Sequence, residues 1–150
     1  MKVEDLMKGD WVNLNFDVDY KTGNSIYGHV QVNSINKDGT IDVDCTFDNS
    51  KSMQDGWCLK LIEPIPLTPE ILKKNGFVNS YIDLSLNKDS VYKYNHFYTG
   101  NSVIVDMESN KLIVKYENDI WMNLPYNRTI YVHELQHVLK HCEINKEIII

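Results

Sequence analysis

Residues His133-Glu-Leu-Gln-His137 are the stretch of this chain whose types and spacing match a catalytic constellation. In the pattern HExxH on a helix, two histidines one turn apart present ring nitrogens to a zinc ion. The Glu between them serves as general base toward the metal-bound water. On that reading His133 and His137 are metal ligands, Glu134 is the base, and the chemistry is peptidase-like hydrolysis with Zn as cofactor. The neighbours comply: Leu135, Gln136 and Val138 are uncharged and Leu139 is apolar.

The third ligand is the difficulty. Catalytic zinc takes three protein ligands and keeps one position open. Where metzincins place a glycine and a third histidine, this chain has Lys140 and Glu143, and Glu143 and Glu147 are poorly placed for a ligand from a later helix. Peptide deformylases use an upstream cysteine, which Cys58 in Asp-Gly-Trp-Cys-Leu faintly echoes, yet their GLAAxQ segment is missing. At about 100° per residue, Val132, Leu135, Val138, Leu139 and Cys142 gather on one arc, and His133, Gln136, His137, Lys140 and His141 on the opposite one. The pattern is that of a surface helix with a core stripe. No catalytic residue, metal or other cofactor is therefore expected, and the zinc hydrolase stands as the alternative.

Other chemistry-bearing residues are fewer. Trp11, Trp57, Tyr92 and Tyr94, with Tyr98, are weak candidates for a ligand groove of the kind small barrels offer to peptides, against a plainer role in strand packing. The acidic pairs Asp17/Asp19 and Asp42/Asp44 sit on alternating strand positions without EF-hand spacing, which reads as a solvated face. Cys45, Cys58 and Cys142 are odd in number and form no CxxC pair, so neither a disulfide framework nor a thiolate cage is suggested. Cys142, on the apolar arc, reads as a small buried hydrophobe. His29 and His96 receive no role.

The elements that must position these residues follow from periodicity. Trp11–Phe16, Tyr27–Val32 and Thr40–Cys45 alternate apolar and polar residues, the mark of half-buried strands. Asn36-Lys-Asp-Gly39 supplies a hairpin turn between the last two. With a fourth strand at Trp57–Ile62, residues 1–63 have the size and pattern of an SH3-like barrel. Residues 64–77 read as a proline-containing linker carrying a short helix, Pro69 to Lys74, capped by Thr68 and ended at Asn75-Gly76. Residues 78–150 read as an α+β module with strands at 81–86, 91–98, 102–107 and 111–116. Its amphipathic helix runs from about 129 to 142 with Thr129 as cap. The fold class is α+β, mostly antiparallel β.

Composition narrows function. The net charge is −6, and residues 1–66 carry six Lys against eleven Asp and Glu. A single arginine, Arg128, and no basic run make nucleic-acid binding unexpected, and the lack of arginine and of a glycine-rich phosphate loop is unfavourable to a third reading, a small-ligand sponge for nucleotide signals. An N-terminus reading MKVEDLMKGDW, and no apolar stretch near twenty residues, lead to an expectation of a cytoplasmic protein with no membrane partner.

Three segments, Met1-Lys-Val-Glu-Asp-Leu-Met-Lys-Gly-Asp-Trp-Val12, Glu63-Pro-Ile-Pro-Leu-Thr-Pro-Glu-Ile-Leu-Lys-Lys-Asn-Gly-Phe77 and Tyr131-Val-His-Glu-Leu-Gln-His137, carry a resemblance. In this order they resemble the landmarks of an uncharacterised family of small phage, prophage and mobile-element proteins of Bacteroidetes. The family's late helix reads like YVHQLQN, with Gln and Asn where this chain has Glu134 and His137. The resemblance thus implies that HExxH arises here by two substitutions on a helix that lacks it elsewhere, and it implies a setting without a mechanism. The expectation is a non-enzymatic binding or accessory module that engages a protein partner.

Overall fold

The computed structural model describes residues 5–18, 25–38, 40–47, 50–58, 61–79, 90–118 and 121–150. For 16–18, 25–27, 45–47, 50–58 and 121 it gives the backbone alone. The chain divides into two compact units, Met1–Ile65 and Pro66–Ile150.

In the first unit, β1 (Trp11–Val18), β2 (Ser25–Ile35), β3 (Thr40–Phe47), β4 (Ser50–Cys58) and β5 (Ile62–Pro64) form one antiparallel sheet in the order β4-β3-β2-β1-β5. Alternation along the strands sends Val12, Leu14, Val30, Val32, Ile41, Val43 and Ile62 into one core with Leu6, and Ile35 packs at its margin. Register explains the set, since Val12 faces Val30 and Leu14 faces Ile62 across the ladders. Register shifts at Asn15/Asp17, Val32/Ser34 and Ile41/Val43 add local twist.

The expected strand at Trp57–Ile62 is divided in the structure. Trp57 and Cys58 close β4 opposite Ile41 and Thr40, whereas Ile62 begins β5 opposite Leu14, so the two ends of that segment join different neighbours. The rest of β4, Ser50–Gly56, is polar and shows no alternation, which is why periodicity passes over it.

Two turns hold this unit's polar groups. Gly9, at φ +92, lets the chain double back so that its N–H donates to the Val32 carbonyl at 2.7 Å, while the Val32 N–H donates to the Asp10 carbonyl at 2.9 Å. The buried Asp10 carboxylate accepts the Met7 N–H at 2.7 Å. At the expected β2–β3 hairpin, Asp38 Oδ1 accepts the Thr40 N–H and hydroxyl, and these bonds hold its carboxyl below the ordinary value. Asp42 accepts from Ser34 Oγ and Asn36 Nδ2. Of the two acidic pairs, Asp42 is thus hydrogen-bonded on β3 beside this turn; Asp19 and the side chain of Asp17 lie outside the described residues.

The second unit contains α1 (Pro69–Lys74), β6 (Val78–Asn79), β7 (Val91–Asn95), β8 (Ser102–Asp106), β9 (Lys111–Lys115), β10 (Trp121–Pro125) and α2 (Val132–His141). Its sheet runs β10-β9-β8-β7-β6, again antiparallel. All five residues of central β8 are buried, so both faces of the sheet are covered there. The expected strand at 81–86 lies outside the described residues, and β10 is an additional strand beyond those expected.

The 66–77 segment is part of this unit and not a free linker. The Leu67 N–H donates to the Ile130 carbonyl at 2.9 Å, Pro66 bridges Tyr131, and Leu72 and Phe77 are buried. The helix itself matches expectation: Thr68 Oγ1 accepts the Ile71 N–H at 3.3 Å, Pro69 opens the first turn, and Gly76 takes φ +74 after Asn75.

Buried Asn75 ties the last residues down. Its Nδ2 donates to the Ile71 carbonyl at 2.8 Å and the Ile149 carbonyl at 2.7 Å, and its Oδ1 accepts the Ile149 N–H at 2.9 Å. Lys74 Nζ adds a 2.6 Å bond to the Ile150 main-chain oxygen, and Ile144 and Ile148 are fully enclosed. Asn75→Asp keeps the shape but loses both donated bonds and aims a carboxylate at two carbonyls. It is expected to cost about 2–4 kcal/mol in urea unfolding. A wild-type midpoint would show that the tail is held by its isoleucines alone.

Candidate functional site

The HELQH segment occupies the first turns of α2, and its geometry is set by what precedes it. Ile130 is buried and Tyr131 is extended (φ −107, ψ 159), both pinned by pairing to Pro66 and Leu67. A chain held extended through residue 131 cannot be helical at 129. The cap is therefore Tyr131, not Thr129, two residues later than periodicity suggests.

That shift assigns Glu134 a structural position. It stands third in the helix, where a Glu carboxylate reaches back to the cap residue, and its Oε2 accepts the Tyr131 N–H at 2.8 Å. Tyr131 offers no side-chain cap in return. The Arg128 guanidinium closes on the same carboxylate, with Nη2 2.7 Å from Oε1 and Nη1 3.3 Å from Oε2. Hydrogen bonding to Glu134 holds the Arg128 guanidinium above its ordinary pKa. Arg128 is half-exposed while the Glu134 side chain is 11% exposed, so the pair is screened from one side only.

A row of rings continues from this pair. Arg128 Cζ lies 4.5 Å from the Tyr131 ring centre, Tyr131 stacks on His133 (5.9 Å, 11°), and His133 meets His137 edge to face (5.8 Å, 71°). His133 is 3% exposed, contrary to the solvated arc expected for it, and His137 is half-buried. Stacking beneath Tyr131 at the first turn encloses His133; Lys140 and His141, further along the same arc, do face solvent. The buried His133 Nδ1 makes no hydrogen bond among the described residues, although the ring itself contacts both Tyr131 and His137.

Two of the candidate third ligands lie past the end of α2. Glu143 is exposed past the helix end at φ +57, and Glu147 is exposed on the tail. Cys58 belongs to the first unit, and its side chain lies outside the described residues. Among the described residues, no three His, Cys, Asp or Glu side chains converge as a metal site.

Two titrating groups flank α2. Burial pushes the Tyr126 phenol up, the Glu134 carboxylate adds to that, and Arg128 opposes it. Burial likewise pushes up the Cys142 thiol, partly offset by its hydrogen bond with Tyr116. Cys142 is 1% exposed, in keeping with the small buried hydrophobe expected.

The aromatic candidates separate. Trp11 is half-buried at the start of β1, and Trp57 lies on β4, its side chain outside the described residues. Tyr92 is buried in the core of the second unit. Tyr94, half-buried, packs between Phe77 (ring centres 5.3 Å) and Lys146 Nζ (4.9 Å). The feature that periodicity missed is the β7–β8 hairpin tip. The strand expected to reach Tyr98 ends at Asn95, and Phe97 and Tyr98 stand 92% and 89% exposed on the turn. Gly100, at φ +66, was the available signal for that turn.

The architecture defines an α+β protein of two mostly antiparallel units, and among the described residues no helix is long and apolar enough to cross a membrane. Comparison of the chain with family models, curated proteins and solved structures finds no match.

If Glu134 is chiefly a cap, Glu134→Ala lowers stability by about 1–2 kcal/mol, whereas Glu134→Gln, which can still accept from Tyr131, costs less than half as much. Equal losses in the two variants would assign its contribution to charge alone. The raised Cys142 thiol carries a pH sign. The folded chain keeps a proton that the unfolded chain releases, so this stability is complete below the ordinary thiol value of about 8.5 and is lost as pH rises through the folded value. Cys142→Ala is expected to flatten the alkaline limb of a stability–pH curve, and an unchanged limb would contradict it.

Proposed function

We propose that this chain is a non-enzymatic binding or accessory module that works through contact with a protein partner. The observation carrying this reading is the engagement of Glu134. A general base needs a lone pair directed at the water it deprotonates. Here one carboxylate oxygen receives a backbone N–H of the helix start, and both oxygens receive the Arg128 guanidinium. His133 is at the same time enclosed under Tyr131. The HELQH run thus works as a helix entry, with the chemistry-bearing types spent on capping and stacking.

Finer parts of the reading rest on pattern. An SH3-like arrangement of the first unit is supported by a meander from β1 to β4 and a fifth strand that returns to β1, with three register shifts adding twist. The setting, a small cytoplasmic protein of a phage, prophage or mobile element, is what the resemblance of the three sequence landmarks supplies. The acidic charge and lone arginine argue for a protein partner over nucleic acid.

The alternative, zinc-dependent hydrolysis through His133, Glu134 and His137, is tested by metal analysis of protein purified without an affinity tag. Substoichiometric zinc, unchanged in His137→Asn, is the expected result. One zinc per chain that disappears in the variant would overturn the module reading.

A further inference from the structure

We propose that the tip of the β7–β8 hairpin, Phe97 and Tyr98 together with the depression edged by Glu117, docks an arginine-bearing basic segment of a partner protein. The inference rests on the binding-module reading and gives it a place and a chemistry.

The tip is rigid. The His96 N–H donates to the Asn101 carbonyl at 2.8 Å, and the Gly100 N–H donates to the His96 carbonyl at 3.1 Å. Thr99 Oγ1 accepts the Asn101 N–H at 3.3 Å and bonds His96 Nδ1 at 2.9 Å. Asn101 Nδ2 anchors the whole turn to the Cys142 carbonyl at 3.2 Å. A turn already satisfied in its hydrogen bonds has no folding need for two exposed aromatic rings, whose apolar area is stabilised only when it is covered. Phe97 and Tyr98 meet edge to face at 5.6 Å, and His96 meets Tyr98 at 5.9 Å, so the rings form one patch and not scattered exposures. Rings held at little further entropic cost are what interface anchors consist of.

Two residues of the same turn, Thr99 and Asn101, line an open depression of about 370 Å³ together with Tyr116, Glu117 and Asn118. Its size suits one long side chain and its lining offers a carboxylate with neutral polar groups. Gly100 brings Glu117 to the turn, for a Cβ at that position would lie 3.1 Å from Glu117 Cγ on a backbone that already favours glycine. Aromatic face plus carboxylate is the recognition set of a guanidinium, which stacks on the ring and pairs bidentately with the acid. The chain uses this same set internally, where Arg128 lies on Tyr131 and binds Glu134.

The test is ¹⁵N NMR of the whole chain titrated with a short, end-blocked Arg-Gly repeat peptide and with the same peptide carrying citrulline for arginine. The arginine peptide is expected to shift the amides of 96–101 and 116–118. Citrulline replacement, the Phe97→Ala/Tyr98→Ala double variant and Glu117→Gln are each expected to weaken binding about tenfold or more. Glu63→Gln, which removes an exposed carboxylate of the first unit, should leave binding unchanged. Equal affinity of the citrulline peptide, shifts confined to other surfaces, or parental binding by the double variant would overturn the assignment. Such a result strikes this site alone, whereas zinc lost in His137→Asn strikes the module reading itself.

Discussion

The pairing of Pro66 and Leu67 with Ile130 and Tyr131 is the constraint on which the second unit's helix depends. It holds residues 130 and 131 extended, which fixes the helix start at Val132. Once the start is fixed, Glu134 falls at the position where a carboxylate satisfies the cap N–H, and Arg128 lies within reach of both its oxygens. A helix beginning at Thr129 would have placed Glu134 deeper in the helix, with no exposed backbone N–H to serve. Two residues of long-range pairing thus decide which groups the Glu134 carboxylate meets.

The other end of α1 closes the unit by different means. Asn75 binds the tail with a side-chain amide, which imitates a backbone pair without requiring the tail to be a strand. This device suits a segment whose side chains bury unevenly: Ile144 and Ile148 are enclosed while Ile149 is exposed. The amide is satisfied three times in a site that excludes water, so each of its bonds resists removal more than a surface bond would.

The first unit is held more simply, by a single apolar face. Leu6 and the inward residues of β1, β2, β3 and β5 make its described core, and the Gly9–Asp10 turn locks the segment before β1 against β2. Buried apolar stripes stabilise each unit, while the rings that no stripe requires are left at the tip of a braced hairpin in the second.

Sequence by itself determined the α+β class, the alternating strands at 11–16, 27–32 and 40–45, and the Pro69–Lys74 helix with its Thr68 cap. Strong period-two patterning and capping chemistry act over a few residues and need no distant partner. Weakly patterned β4 and β10, the split of 57–62 between two strands, and the membership of 66–77 in the second unit were decided only by pairing with residues far along the chain. The site divides in the same way. The residue types of HELQH, and the missing third ligand, are legible in one dimension. The burial of His133 and the capping role of Glu134 are not, because both depend on where Tyr131 is pinned. Local spacing specifies which atoms a helix can present, and tertiary pairing decides where that helix begins and hence which atoms are already engaged.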